Sequence, residues 1–149
     1  MSQSLARILI HVVFSTKNRE TMITDAIRPH AFAYMATVGR ELGCEVFRVG
    51  GMPDHVHLAV GLGRTISVAD FVKKVKQTAS VWMTDDGGNP RFEWQAGYGA
   101  FSIGESQLST LVRYIENQAD HHRVKTFQDE YRAMLAKYRV QADERYLWD

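Results

Sequence analysis

The chain has 149 residues, 45% of them apolar, and a net charge of +1. That is the size of one average domain, large enough to bury a core without staples. Its single cysteine, Cys44, excludes an intramolecular disulfide and a zinc cage built from thiolates. No apolar run reaches the roughly 18 residues of a membrane span, and the near-zero charge means that any basic surface must be local. The first residues, Met1-Ser2-Gln3-Ser4, carry no basic run ahead of an apolar core. No signal peptide is expected, and the cytoplasm is the expected location.

Residues 7–14, Arg-Ile-Leu-Ile-His-Val-Val-Phe, read as a buried strand carrying His11. Residues 25–42 predict a helix. Thr24 is its expected cap, Pro29 falls in its first turn, and Gly43 stops it. Ile27, Ala31, Tyr34, Met35, Val38 and Leu42 keep the helical period of a core-facing stripe. Residues 44–49 and 54–62 predict two strands joined by the turn Gly50-Gly51-Met52-Pro53. A second helix is expected over 68–83, capped by Ser67. The segment 92–103 alternates aromatics and glycines, which predicts a short extended piece, a bend at Gly97 and Gly99, and a last strand over 100–103. A helix over about 106–121 and another over about 127–138 complete the chain. The ending Glu-Arg-Tyr-Leu-Trp-Asp is too apolar for a free tail and is expected to dock.

This order predicts one domain over 1–149. Its fold class is α+β, with a ferredoxin-like, split-βαβ antiparallel sheet and helices packed on it. Such a sheet sets the first strand beside the third.

The third strand carries the first chemical signal. Side chains on a strand alternate faces, so His55 and His57 point one way and Val56 the other. Two imidazoles on one face are suited to share a metal ion or a phosphate, and His11 on a neighbouring strand would lie close. The second signal is Tyr114 and Gln118, four apart on a predicted helix and therefore on one face. A phenol can act as a covalent nucleophile, and an amide oxygen can bind a hard metal. Two histidines and one glutamine would make a three-ligand site with open positions for a phosphate oxygen. Lys73, Lys74 and Lys76 form one basic cluster; His121, His122, Arg123 and Lys125 form another. Each is first of all a solvated face, and of interest only if it flanks a site.

His55-Val56-His57 resembles the HUH motif, and Tyr114-Ile-Glu-Asn-Gln118 resembles the tyrosine helix of single-tyrosine HUH transposases. These are the small enzymes of the insertion-sequence 200/605 type and their REP-associated relatives. The similarity extends to His-Val-Val-Phe-Ser-Thr-Lys-Asn-Arg in the first strand, to Pro-Asp-His-Val-His-Leu, to Trp94-Gln-Ala-Gly-Tyr-Gly-Ala-Phe-Ser102, to His121-His122, and to Asp-Glu-Arg-Tyr-Leu near the end. A bare His-x-His is common by chance; the ordered set is specific.

The resemblance implies a bacterial or archaeal enzyme that cuts and rejoins single-stranded DNA at hairpin-bearing transposon ends. Tyr114 would be the nucleophile, leaving a 5′-phosphotyrosine and a free 3′-OH. His55, His57 and Gln118 would hold Mg²⁺ or Mn²⁺. Two imidazoles suit Mn²⁺ better than Mg²⁺. The resemblance also implies a homodimer with joined sheets, in which the tyrosine helix of one subunit can complete the site of the other. Lys73, Lys76, Tyr98 and Arg123 are candidates to contact DNA, with Trp94, Trp82 and Phe101 as further aromatics. His11, His121 and His122 are candidates to support the ligands from behind. Two other readings stand beside this one. A host-domesticated relative acting on repeated palindromes would share the chemistry. A non-catalytic module that binds single-stranded nucleic acid would stack bases on its sheet aromatics, but it leaves the histidine pair, Tyr114 and Gln118 unexplained as a set.

Overall fold

The computed structural model describes residues 2–149. Its elements run β1 (Leu9–Ser15), α1 (Arg28–Glu41), β2 (Glu45–Met52), β3 (His55–Gly61), α2 (Val68–Asp85), β4 (Gly99–Ile103), α3 (Leu108–Glu116), α4 (Gln118–His121) and α5 (Phe127–Lys137). The four strands lie in the order β2-β3-β1-β4, and every neighbouring pair is antiparallel. This is the ferredoxin-like α+β sheet that the sequence predicts.

Helices cover both faces of the sheet. The two central strands explain why. β1 is buried at all seven positions and β3 at six of seven, so neither keeps a wet face. An antiparallel strand with one solvated face alternates apolar and polar residues; Leu-Ile-His-Val-Val-Phe does not. On one face Ile10, Val12, Phe14, Val56, Leu58 and Val60 pack with Met35 and Val38 of α1 and with Phe71, Val72 and Val75 of α2. On the other, Ala59 packs under Leu111 and Ile115 of α3, while Val13 and Phe101 pack under Phe127, Tyr131 and Leu135 of α5. His11, His55 and His57 share this second face.

Several boundaries differ from the sequence reading for local reasons. α1 begins at Arg28, with Pro29 in its first turn and no side-chain cap. Thr24 contributes its carbonyl, which accepts from Ile27 and Arg28. Gly43 ends α1 in the left-handed region (φ 82°), as expected of a stop residue. Ser67 caps α2 through a bond from the Asp70 amide, and Thr126 caps α5 in the same way. The piece expected to be extended around Trp94 makes only an isolated bridge to Thr16. Trp94 is buried edge-on against Phe14 and Phe92.

The long helix expected over 106–121 is broken. Asn117 leaves the helical region (φ −100°, ψ 25°), so α3 ends before it and α4 begins after it. Tyr114 and Gln118 are thus not stacked on one straight helix; the kink turns Gln118 inward, where it is 1% exposed.

The C-terminal residues dock as expected. The Trp148 ring lies between the guanidinium groups of Arg19 and Arg132, 5.2 and 5.3 Å away. The Asp149 carbonyl accepts from the Ala96 amide.

α3 sits so close to β2 that only glycine fits beneath it. A Cβ at Gly50 would lie 2.6 Å from the Ile115 methyl and 2.8 Å from the Ile115 carbonyl oxygen. The carbonyl belongs to the helix backbone and cannot step aside. Gly50→Ala is therefore expected to lower stability by about 1–3 kcal/mol, read as a lower midpoint in urea unfolding.

Candidate active site

β3 presents His55 and His57 to the second face of the sheet. His57 pairs across from Val13, and His11 pairs across from Ala59, so His11 and His57 are diagonal neighbours on one face. Their rings stack at 5.0 Å, and His11 Nε2 lies 2.8 Å from His57 Nδ1. His55 Nδ1 lies 2.8 Å from the Asp54 carboxylate. An ionised carboxylate only accepts, so His55 donates from Nδ1 and turns the lone pair of Nε2 into the interior. That lone pair faces Gln118 Oε1 at 3.0 Å. His122 Nε2 also lies 3.0 Å from the same oxygen.

α5 closes the group with Glu130. Its Oε1 lies 2.8 Å from His57 Nε2 and its Oε2 lies 3.0 Å from His122 Nε2 and from His121 Nε2. Glu130 is 2% exposed, and His55 and His57 are fully buried. His55, His57, His122 and Glu130 each offer one donor atom, all within 4.8 Å of one another. Yet His57 Nε2 and both Glu130 oxygens are buried and make no hydrogen bond of acceptable geometry. Buried polar atoms that converge without bonding each other are the arrangement expected where a cation belongs between them. The imidazole and oxygen donors fit a divalent transition ion such as Mn²⁺ better than the all-oxygen shell that Mg²⁺ prefers.

The charges follow from this packing. Burial pushes His57 down to about 4, against the pull of Glu130. Burial and the neighbouring His57 push His11 down to about 3. Both rings are therefore neutral at pH 7, the form that binds metal. Burial would raise Glu130, but the imidazoles of His122 and His57 outweigh it and hold the carboxyl well below the usual range. Burial would lower His122, but Glu130 raises it.

Tyr114 stands edge-on to His57, with ring centroids 5.6 Å apart, and its hydroxyl lies 3.3 Å from His121 Nε2. Burial first, and then the Glu130 carboxylate, raise its pKa. A phenolate is disfavoured there unless positive charge stands nearby.

The structure thus brings together His55, His57, Gln118 and Tyr114. His11 lies behind His57 and His121 beside Tyr114. His122, a candidate to support the ligands from behind, stands among the donor atoms themselves. The four residues proposed to touch DNA do not share this centre. Lys76 donates to the carbonyls of Gln95 and Gly97 at 2.7 and 3.0 Å, bracing the segment between α2 and β4. Arg123 is paired with Asp120. Lys73 is exposed on α2, and Tyr98 is 39% exposed.

Asp54 and Glu130 escape the sequence reading. Asp54 is adjacent to the histidine pair. Glu130 had a signal: Phe127, Tyr131, Met134 and Leu135 form the apolar stripe of α5, and position 130 falls inside it. A carboxylate on a buried face needs a partner.

The profile described as "Transposase IS200 like" matches residues 4–118. The chain belongs to the IS200-like transposases. A curated relative, the ISDra2 transposase TnpA of Deinococcus radiodurans, is 24% identical over 123 residues, which cover 74% of this chain and 83% of the relative. Two solved structures share the fold. One is a transposase from Deinococcus radiodurans R1, with a TM-score of 0.61 and 23% identity, covering 79% of this chain and 98% of that one. The other is a REP-associated tyrosine transposase bound to a REP hairpin, with a TM-score of 0.56 and 18% identity, covering 82% of this chain and 74% of that one. Among the described residues no helix is long and apolar enough to cross a membrane.

Two measurements probe this transposase's centre. Asp54→Ala should weaken Mn²⁺ binding by about 10–100-fold in titration calorimetry, because it frees the His55 ring to turn. The second is the pH dependence of the metal-free protein. The folded pKa values of His57 and His11 lie below the ordinary 6.5, so the unfolded chain binds more protons below that pH. Glu130, also depressed, acts in the same direction at lower pH, and His122 acts against them. In EDTA, the melting temperature should fall as pH drops from about 6.5 toward 4; a flat profile would count against buried, neutral histidines.

Proposed function

We propose that this transposase cuts and rejoins single-stranded DNA at hairpin-bearing ends through a covalent link on Tyr114. One observation carries the reading: the half-buried Tyr114 ring stands against His57, beside the buried His55 and Gln118. A likeness in fold to a transposase bound to a REP hairpin supports a hairpin as the recognised element.

In this reading His55, His57 and Gln118 hold Mn²⁺ or Mg²⁺, with His122 and Glu130 beside them. When bound, the ion supplies Lewis acidity to a phosphate oxygen and lowers the cost of negative charge. Asp54 and His11 orient the two motif histidines from behind through Nδ1. The Tyr114 oxygen attacks the phosphorus as its proton leaves toward His121. The P–O3′ bond breaks, the departing 3′ oxygen takes up a proton, and the 5′ phosphate stays on the tyrosine. A second 3′-OH then attacks the same phosphorus, the P–tyrosine bond breaks, and Tyr114 regains its proton. Bond count and charge balance over the two steps, so strand joining requires no external energy source. The protein acts as a homodimer on this reading.

The test uses single-stranded DNA from the flanks of the gene, incubated with Mn²⁺ and resolved on a denaturing gel. A covalent protein–DNA adduct is expected from the natural chain. Tyr114→Phe should abolish it, and His57→Ala should reduce cleavage by at least about 100-fold. An adduct that survives Tyr114→Phe would sink the proposal.

A further inference from the structure

His55, His57 and Gln118 are buried, and a cleft of about 400 Å³ between α3 and α5 reaches the centre at Glu130. Its inner wall is His11, Tyr114, His121 and Glu130, side chains already at the centre. Ile103, Leu111 and Met134 give it an apolar floor, with Ser106, Gln107 and Thr110 as polar lining beside them. The ring of Tyr138 also lines it, tilted against Phe101 at 4.9 Å and with the Lys137 ammonium 5.5 Å from its centroid. Lys125 and Lys137 stand at its sides. Neither lysine belongs to the ion pairs that tie up Arg123, Arg132 and Arg145 nearby.

We infer that this cleft is a subsite for one unpaired nucleotide next to the scissile phosphate. Its base lies on the apolar floor against Tyr138, and its phosphates lie between Lys125 and Lys137. The inference deepens the single-strand reading given above and rests on it. Three features select this occupant. The cavity falls in the range of small-ligand sites, roughly 300–1,000 Å³. An apolar floor with an aromatic side suits a base unstacked from its neighbours, which is how proteins hold single strands. Two cations otherwise free of ion pairs complement a phosphodiester, whereas an apolar peptide would leave them unmatched. Because Tyr114 forms the inner wall, a nucleotide seated here has a backbone phosphate directed toward the tyrosine oxygen. Lys125, Lys137 and Tyr138 are thus positioning residues for the strand.

Two variants test the subsite without touching the centre. Lys125→Gln with Lys137→Gln removes both cations. Ala133→Trp, at an exposed position of α5 beside the cleft, fills the cavity. Circular dichroism checks that both fold. The first probe is a fluorescein-labelled strand of ten thymidines in EDTA, where no cleavage occurs, followed by anisotropy. Each variant should raise Kd about tenfold. The double lysine variant should also lower the slope of log Kd against log salt by about 1.4, at roughly 0.7 per phosphate contact, while Ala133→Trp leaves the slope unchanged. Unchanged Kd in Ala133→Trp overturns the base subsite even if the lysines matter. A change in oligomeric state on sedimentation with unchanged Kd assigns the cleft to a second copy of the chain and also overturns it. The adduct assay with Mn²⁺ separates this inference from the one beneath it. Loss of strand binding in both variants, with no adduct from the natural chain, supports the subsite and removes the tyrosine chemistry. Normal adduct formation and normal binding in both variants do the reverse.

Discussion

One buried carboxylate organises this molecule. Glu130 lies under α5 on the second sheet face, 2% exposed, and a bare charge there would cost several kcal/mol. Imidazoles from β3 and from α4 and the turn after it surround it, and its own two oxygens, without hydrogen bonds of acceptable geometry, call for a cation. The apolar stripe of α5 brings the helix to the sheet, and the Glu130 contacts fix where along the sheet it stops. The same contacts reach back through His57 to His11 on β1 and through Gln118 to the kinked segment after α3. Chemistry and packing are therefore one constraint here: the second helical layer closes over the histidines because its carboxylate belongs among them.

Tyr114 shows how finely that constraint is balanced. Its oxygen lies near a carboxylate and in a partly buried place, both of which keep the proton on it. Positive charge at the donor atoms reverses the bias. In the proposed mechanism the tyrosine is thus held in reserve in the metal-free molecule, and its reactivity is tied to the occupancy of a site made mostly by other segments. The break at Asn117 serves that arrangement. On an unbroken helix Gln118 would lie one turn above Tyr114; the kink turns its amide oxygen to face both His55 and His122.

Much of this was legible in the sequence, and the rest was hidden for definite reasons. The shared face of His55 and His57 follows from periodicity alone. The pairing of β1 with β3, and so the place of His11, follows from the split-βαβ layout. The helix over 106–121 read as continuous because its apolar stripe runs through Ile115 and no proline or glycine interrupts it; a break at an asparagine is a tertiary matter. Glu130 was passed over because a charged amphipathic helix is ordinarily solvated, and only the sheet's second face, with three histidines on it, makes that position interior. Lys76 read as part of a solvated basic cluster and a candidate DNA contact because nothing local marks its ammonium for the Gln95 and Gly97 carbonyls.

The centre draws on residues from position 11 to position 130, and its last contributor comes on α5. Synthesis proceeds from the N-terminus, and domains settle as their parts become available. A chain still on the ribosome with α5 unmade has β1, β3 and Tyr114 but lacks the carboxylate that completes the donor set, and its histidines face an uncovered sheet. The capacity to break DNA then waits on the synthesis of α5, after every other contributor to the centre has been made.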